Sequence, residues 1–512
     1  MISLARSGRG PVLFATLVAV GLGAIVRVLP ELPGPFTTGD GGLILAMVDD
    51  IRRAGLSLPQ ETSYNAMDVP FLYPPLALMA AAGLGELLGI SSLSVIRIVP
   101  VVLSLITLAA FAWLASRLLE PKAAVGALLA FALMPGAYAS VVAGGGVTRG
   151  MGLLFVILAM AVAASRSRRV GLSAAVLGLL LGLSVLAHPQ AWLFGAAASA
   201  VFFYRDGSVR TTVVGLVAAA LVALAVALPW MAALADRHGW GAFAAAGHRW
   251  EPGLDVVRFL GFGFSALGVA DLFLVFGVVG LAIAVGRRQF RLPILVICLA
   301  VGFGTSYFAA LTWSLLAGVG LAFIMDGIGP ARTRSDRAFR LGMSAVALLI
   351  TLIGTMGSAA SERSPLQRVT SEQASALDWV AEHTHPNTRF IVATTVPWGV
   401  DEISEWFPAV TGRQSVGTVQ GSEWLGRSRF SMQAQRHAAI RECAGSTDMC
   451  LTEWADDVGL EDAWVFIPKG QVNGPLSSVE CCLALRETIR SGARYAVVYD
   501  GVGATIARPR MP

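Results

Sequence analysis

Asp40 is the residue whose sequence setting most favours chemistry. It follows the first hydrophobic stretch of the chain and is followed by Gly41 and Gly42. A carboxyl group at the edge of a bilayer, where the dielectric constant is low, has a raised pKa and can accept a proton at neutral pH. Asp40 is therefore a candidate general base or ligand of a divalent cation. Asp-Gly-Gly before an apolar-periodic run is also typical of a helix N-cap, and the two interpretations are compatible.

Two further carboxylates and a tyrosine follow in the same polar loop. Asp49 and Asp50 precede Arg52 and Arg53 by three residues, so ion pairs along an interfacial helix are the simpler interpretation, above all for Asp50. Asp49 is retained as a candidate second catalytic carboxylate. Tyr73, in the Tyr-Pro-Pro sequence that closes the loop, is a candidate substrate contact.

Two basic residues could contact an anionic group. Arg149 follows the glycines 144–146, which let a ligand approach the backbone, and its guanidinium can hold a phosphate through two hydrogen bonds. The pattern is not a P-loop, because no Gly-Lys-Ser or Gly-Lys-Thr follows, and an arginine that extends to lipid headgroups is an equally good interpretation. His188 stands at the end of a hydrophobic span, where it caps a helix or contacts substrate in polar surroundings.

A later polar loop contains His238, His248, Arg249 and Glu251. The spacing of the two histidines and the glutamate matches no established zinc motif, so no metal site is predicted, and a divalent cation stays an open alternative. Contact of Arg249 with a phosphate, or stacking of a sugar on the neighbouring tryptophans, fits the loop better. These four residues are candidate substrate contacts.

The composition indicates the surroundings of these residues. Of 512 residues, 55% are hydrophobic and only 14% are charged, against roughly 25% charged residues in soluble domains. The chain is therefore predicted to be a polytopic α-helical membrane protein. Its formal net charge of +5 is small for its length and indicates no nucleic-acid partner.

The basic loop residues set the predicted topology. About 20 apolar residues cross a bilayer, and Lys and Arg in short loops stay cytoplasmic. The basic clusters fit one topology only if the run 72–90, which Glu86 interrupts, does not cross. We predict about eleven transmembrane helices within residues 1–360, a cytoplasmic N-terminus and a first external loop at 30–94 with juxtamembrane helices. The predicted crossings are 11–29, 95–116, 123–140, 150–164, 171–187, 189–204, 211–229, 271–286, 292–309, 311–326 and 341–359.

Residues 361–512 alternate polar helical segments with short β-rich runs, which predicts a soluble α/β domain on the external face. Strands are expected at 389–394, 463–467 and 495–499, with an amphipathic helix around Leu377 and Val380. The acidic, tryptophan-rich segment 401–426 is expected to pack this domain on the membrane part, with a carbohydrate surface as the alternative.

Four of the five cysteines lie in this C-terminal region. They allow three disulfide pairings, between which the sequence does not choose. The cysteines lack the CxxC spacing that is typical of zinc ligands, so disulfides are favoured over a zinc site. Disulfides would place the domain outside the cytoplasm. The four cysteines are Cys443, Cys450, Cys481 and Cys482.

These features resemble the GT-C superfamily of polytopic glycosyltransferases, which use polyprenyl-phosphate-linked sugars. Members have an essential acidic residue in the first external loop, and Asp40 in TTGDGG matches that position. YPPL at 73–76 resembles the stretch that closes the loop, and 121–152 resembles the third helix and second external loop of oligosaccharyltransferase catalytic subunits. Those subunits carry acidic metal ligands directly after that turn, whereas this chain has Gly-Gly-Val-Thr-Arg at 145–149. Metal-independent members, such as the protein O-mannosyl-, aminoarabinose and mycobacterial mannosyl- or arabinosyltransferases, fit better.

The resemblance implies an enzyme of a bacterial plasma membrane that moves a sugar from a polyprenyl-phosphate donor to a glycan, lipid or protein acceptor on the outer face. Asp40 would deprotonate or orient the acceptor, and Arg149, with Arg249 or His248, would neutralise the departing phosphate. A groove beside 72–90 would take the lipid tail, and the external domain would bind the acceptor. Two alternatives stay open: a flippase or transporter of lipid-linked saccharides, and a non-catalytic protein that binds lipid-linked glycan.

Overall fold

The computed structural model describes most of the chain. The described residues are 9–29, 35–37, 41–165, 169–188, 190–204, 208–241, 270–299, 306–327, 369–473 and 478–510. The predicted site residues Asp40, His248, Arg249 and Glu251 lie outside them, as do the predicted crossing 341–359 and the predicted domain boundary at 360/361.

The N-terminal part is helical, apart from a short hairpin. Its helices are α1 (Arg9–Val28), α2 (Gly41–Arg53), α3 (Pro75–Leu88), α4 (Ser92–Leu118), α5 (Pro121–Leu133), α6 (Ala139–Val142), α7 (Gly146–Ala164), α8 (Val170–Ala187), α9 (Ala191–Phe203), α10 (Val209–His238), α11 (Ala270–Gly286), α12 (Arg291–Cys298) and α13 (Ser306–Gly327). The hairpin strands are β1 (Glu61–Thr62) and β2 (Val69–Pro70).

Several of these helices are long and apolar enough to cross a membrane. Within the described ranges, five helices pass that test, namely α4, α7, α8, α10 and most of α13, and a sixth span arises if the bent pair 121–133 and 135–142 is one crossing. The chain is thus a multi-pass membrane protein, while the count of eleven stays a prediction. Helix α3 has 14 residues, about 21 Å of helix, which is shorter than the roughly 30 Å hydrocarbon core. That the run 72–90 does not cross stays a prediction, because α9, a predicted crossing, is shorter still at 13 residues.

A buried arginine fixes the bend after α5. Arg27 on α1 donates from Nη1 to the carbonyl oxygen of Ala132 at 2.6 Å and from Nη2 to that of Phe131 at 3.1 Å. These carbonyls lie at the end of α5, where no further helical N–H is available to them. The guanidinium also lies 4.6 Å from the ring centroid of Tyr138. Since Pro135 cannot donate a backbone hydrogen bond, the chain turns by 82° here.

The C-terminal region contains a five-stranded sheet with helices around it. The strands of this region are β3 (Arg389–Val392), β4 (Gln414–Ser415), β5 (Trp464–Pro468), β6 (Gln471–Asn473), β7 (Ser478–Glu480), β8 (Tyr495–Asp500) and β9 (Ala504–Pro509). The strand order in the sheet is β4-β3-β5-β9-β8, with β3 parallel to β4 and β5, and β9 antiparallel to β5 and β8. The three predicted strands are confirmed within one or two residues, whereas β9 was not predicted.

The helices of this region cover the sheet, and the two disulfides lie in or next to them. They are α14 (Ser371–His383), α15 (Glu402–Thr411), α16 (Arg427–Ala444), α17 (Asp448–Asp457) and α18 (Leu483–Ser491). In α14 the predicted apolar positions Leu377 and Val380 are buried. Of the three pairings that the sequence allowed, the structure contains Cys443–Cys450 and Cys481–Cys482.

The β1–β2 hairpin joins the membrane part to the C-terminal region. Asn65 donates from Nδ2 to the carbonyl oxygen of Ser415 at 2.9 Å and accepts from the Ser415 amide at 2.7 Å. The hydroxyl of Tyr64 donates to the carbonyl oxygen of Glu405 at 2.7 Å. Asp50 holds the hairpin on α2, because it accepts from the Thr62 hydroxyl at 2.7 Å. The predicted pairing of Asp50 with an arginine three residues on is also present.

Replacement of Asn65 by alanine should loosen this junction. Asn65 has a φ of 59°, a conformation that asparagine tolerates better than alanine, and the substitution removes the partner of the buried Ser415 amide. We expect a loss of about 2–4 kcal/mol in stability. Thermal unfolding in detergent, followed by tryptophan fluorescence, measures it. Asn387→Ala, at an exposed position, is the control, and equal midpoints for the two variants would contradict the prediction.

Candidate functional site

Three chain segments meet where α2 begins. A Cβ atom on Gly144 would lie 2.5 Å from the backbone nitrogen of Gly41, and one on Gly42 would lie 2.5 Å from the carbonyl oxygen of Glu405. Such distances are too short for any side chain, so each of these positions requires glycine. Asp40 is bonded directly to Gly41 in the sequence. The first loop, the Gly144–Gly146 turn and α15 therefore converge at Gly41 and Gly42, the residues that follow Asp40 in the sequence.

Trp406 of α15 closes this junction from the C-terminal side. Its side chain is 0% exposed, and its ring stacks on Phe36 with 4.7 Å between centroids. The favoured prediction for the segment 401–426, that it packs the C-terminal region on the membrane part, holds for this residue. A carbohydrate surface cannot include a ring without exposure.

A hydrogen-bonded cluster of Tyr73, Thr148 and His188 lies at the glycine turn. The Tyr73 hydroxyl is 3.0 Å from Oγ1 of Thr148 and 3.4 Å from Nδ1 of His188. The Thr148 hydroxyl also lies 3.0 Å from the carbonyl oxygen of Gly145, to which it donates. Loop, α7 and the end of α8 thus supply one side chain each, and two of the three, Tyr73 and His188, were predicted from the sequence. We call these three residues the polar cluster.

Arg149 follows Thr148 in the first turn of α7. Its Nε donates to the carbonyl oxygen of Ser140 at 2.8 Å, so one edge of the guanidinium is tied to α6. The side chain is half-buried. Helix α7 begins at Gly146 and has 19 residues, so its dipole favours an anion near the polar cluster.

Asp49 and His238 are not members of the polar cluster. Asp49 accepts a hydrogen bond from the Ser92 hydroxyl at the start of α4. It is eight residues from Gly41 along α2, about 12 Å of helical rise, and its catalytic role stays a prediction. His238 ends α10, where its neighbour Arg237 donates to the carbonyl oxygen of Leu58 at 3.1 Å.

Buried carboxylates at the start of α15 form the far side of the junction. Asp401 accepts from the Ser404 amide at 3.1 Å and from its hydroxyl at 2.7 Å, as an N-cap. Burial raises the pKa of Asp401, and nearby His437 acts in the opposite direction. Burial, with the charge of Glu405, also raises the pKa of Tyr64 well above its usual value. The sequence showed the acidic character of this segment but not its burial.

An apolar groove adjoins the polar cluster. It has a volume of about 680 Å³ and is lined by residues of α8, α9 and α10, with Leu72, Pro74 and Trp424 also in its wall. The ring of Trp424 meets that of Tyr73 edge-on at 5.5 Å. Leu72 and Pro74 belong to the run beside which a lipid groove was predicted. Tyr73 therefore lies on the boundary between an apolar groove and a polar cluster.

No metal site is present among the residues that the structure describes. No group of three or more His, Cys, Asp or Glu side chains in those ranges could hold an ion. Asp40, His248 and Glu251 lie outside the ranges, so the open alternative of a divalent cation is not tested.

Solved structures of similar fold include an oligosaccharyltransferase and an arabinofuranosyltransferase. The archaeal oligosaccharyltransferase AglB from Archaeoglobus fulgidus, in complex with an inhibitory peptide and a dolichol-phosphate, has a TM-score of 0.58 and 13% identity over 90% of this chain and 69% of its own. ArnT from Cupriavidus metallidurans bound to undecaprenyl phosphate has a TM-score of 0.58 and 14% identity over 98% of both chains. The arabinofuranosyltransferase AftD from Mycobacteria has a TM-score of 0.57 and 15% identity over 99% of this chain and 40% of its own.

These similarities confirm the GT-C resemblance at the level of the fold. No family model matches the sequence, and no curated protein matches it. Sequence identities this low show a shared architecture, so the chemistry has to be argued from the chain's own residues.

Gly144→Ala should destabilise the junction. The added methyl group would meet the backbone of Gly41, which cannot move without displacing α2, and overpacking of this kind typically costs about 1–3 kcal/mol. Gly83→Ala is the matched control, because a Cβ there meets nothing within 4 Å and alanine favours a helix by about 1 kcal/mol over glycine. Thermal unfolding in detergent should give a lower midpoint for Gly144→Ala and an equal or higher one for Gly83→Ala. A Gly144→Ala midpoint at or above that of the wild type would contradict the proposed contact.

Proposed function

We propose that this chain is a glycosyltransferase that moves a sugar from a polyprenyl-phosphate-linked donor to an acceptor on the outer face of a bacterial plasma membrane. The observation that carries the proposal is the boundary at Tyr73, where an apolar groove meets a polar cluster. A lipid tail and a phosphate need those two environments side by side. Two proteins of similar fold were solved with dolichol-phosphate and with undecaprenyl phosphate.

The donor would bind with its isoprenoid tail in the groove. Removal of apolar surface from water supplies roughly 25 cal/mol per Å², and the groove wall is almost wholly apolar. The tail would then place the phosphate at Tyr73 and His188. There, the N-terminal end of α7 and the guanidinium of Arg149 would stabilise the negative charge that develops on the leaving phosphate.

Asp40 would activate the acceptor. In the proposed step, an acceptor hydroxyl gives its proton to the Asp40 carboxylate while its oxygen bonds to the anomeric carbon of the sugar. The bond from that carbon to the donor phosphate oxygen breaks, and its electron pair stays on the phosphate. Support comes from Gly41, bonded to Asp40, because its backbone touches the turn that leads into α7. The C-terminal region, whose α15 reaches this point, would bind the acceptor.

Asp40→Asn should abolish most of the sugar transfer. An amide cannot accept the proton, and loss of a general base typically lowers the rate by about 10²–10⁴. The assay incubates membranes with radiolabelled polyprenyl-phosphate sugars and follows label transfer to acceptor. The control Asp326→Asn removes an exposed carboxylate that pairs with Lys122 and should leave transfer unchanged.

The outcomes of this assay separate the alternatives. Full transfer by Asp40→Asn would remove that residue as the base without removing the enzyme. If the wild type binds the donor saturably but transfers no label from any donor, the chain is a non-catalytic binding protein for lipid-linked glycan. Movement of intact donor across the bilayer without cleavage would identify a flippase.

Ala223→Trp should weaken donor binding. Ala223 lines the groove, and an indole there would displace about two or three isoprenoid carbons, each worth about 0.8 kcal/mol. The donor KM should therefore rise roughly 10- to 50-fold. Leu221→Trp, on the same helix but 62% exposed and outside the groove, is the control. Equal donor KM values for the two variants would show that the groove does not hold the lipid.

A further inference from the structure

We infer that Trp406 is a positioning residue, through which the C-terminal region holds the residues on either side of Asp40 against the Gly144–Gly146 turn. The inference rests on the proposed function, since it assigns Asp40 the role of base. It adds a role for the C-terminal region that is separate from acceptor binding. The contacts of the Trp406 ring with Phe36 and Gly41 support this inference.

The ring of Trp406 contacts the chain on both sides of Asp40. On the N-terminal side it stacks on Phe36, with 4.7 Å between centroids and 29° between planes. On the C-terminal side it touches Gly41 so closely that a Cβ atom there would lie 2.9 Å from Cη2 of the indole. Phe36 and Gly41 are five residues apart in the sequence, so a single side chain restrains both flanks of the predicted base.

The backbone beside Trp406 is fixed independently of the ring. The carbonyl oxygen of Glu405 packs against Gly42, as its short distance from a Cβ at that position demonstrates, and it accepts the 2.7 Å hydrogen bond from Tyr64. Helix α15 therefore rests on α2 through its backbone as well. This support lets the indole act as a fixed surface rather than as a mobile side chain.

Trp406 acts through the packing of its ring. Its Nε1 atom is buried and has no hydrogen-bond partner in the described part of the chain. A phenylalanine gives up no hydrogen bond and keeps an aromatic ring, but it lacks the indole atoms Cζ2 and Cη2 that touch Gly41. The packing role therefore predicts a graded effect: Trp406→Phe should lose less function than Trp406→Ala.

Loss of the ring should lower the rate of the chemical step more than donor binding. Trp406 does not line the apolar groove, so the donor retains its site. Without the Trp406 ring, the segment between Phe36 and Gly41, which includes Asp40, can shift its position. A displacement of about 1 Å at a reacting group can cost about 100-fold in rate. We expect Trp406→Ala to lower kcat about 100-fold with a donor KM within about threefold of the wild type, and Trp406→Phe to lower kcat less, about 10-fold, with a similar donor KM.

The experiment compares Trp406→Ala, Trp406→Phe and Leu451→Ala in purified full-length protein. Leu451 is fully buried in a separate core of the C-terminal region, so its truncation destabilises that region without reaching the junction. Beside kcat and donor KM, hydrogen–deuterium exchange of the α2 amides 43–48 is measured without substrate. Trp406→Ala should speed this exchange at least tenfold and Trp406→Phe by a smaller factor, whereas Leu451→Ala should leave it unchanged.

The exchange measurement keeps the inference separate from the proposed function. If the wild type transfers no sugar, the proposed function fails, and exchange alone decides whether Trp406 positions the segment. Unchanged exchange in Trp406→Ala would overturn the inference, as would a Leu451→Ala protein with the same losses. A Trp406→Phe protein as defective as Trp406→Ala would also overturn it, because the loss would then not follow the amount of ring packing that is removed.

Discussion

The close approach of Gly41 to Gly144 is the steric constraint around which the candidate site is arranged. Two backbones lie so near each other that a side chain on Gly144 has no room, and this brings the start of α2 to the turn that begins α7. Because the first loop and the glycine turn are about one hundred residues apart in the sequence, only their packing can bring Gly41, the residue after Asp40, to the turn that precedes α7. This arrangement is sterically possible because Gly144 carries no side chain.

Other contacts keep the two backbones in place from a distance. Arg27 binds the last carbonyls of α5, so the chain bends toward the glycine turn. Asn65 and Tyr64 connect the first loop to the C-terminal region through hydrogen bonds. Trp406 packs on Phe36 and Gly41. A buried guanidinium or amide is stabilising only when its hydrogen bonds are satisfied. Arg27 and Asn65 meet that condition, and for this reason they can fix geometry inside an apolar protein.

The site combines two environments that seldom lie side by side. The groove wall is apolar, whereas Tyr73, Thr148 and His188 share hydrogen bonds at its edge. Low polarity strengthens the electrostatic interactions of any phosphate that is bound there, and the α7 terminus supplies positive potential without another charged side chain. The sequence indicated Tyr73 and His188 as candidates, yet their contact spans 115 residues and could not be predicted from spacing.

Local pattern alone determined the membrane class of the protein, the three main strands of the C-terminal region and the pairing of Asp50 with Arg53. Each of these follows from residues that are neighbours in the sequence, since hydropathy, periodicity and turn chemistry act over a few positions. Tertiary structure decided the partner of Asp49, the choice among three disulfide pairings, the strand β9 and the burial of Trp406. Those features depend on which distant surfaces fit together, and shape complementarity between remote segments leaves no periodic signal in a single sequence.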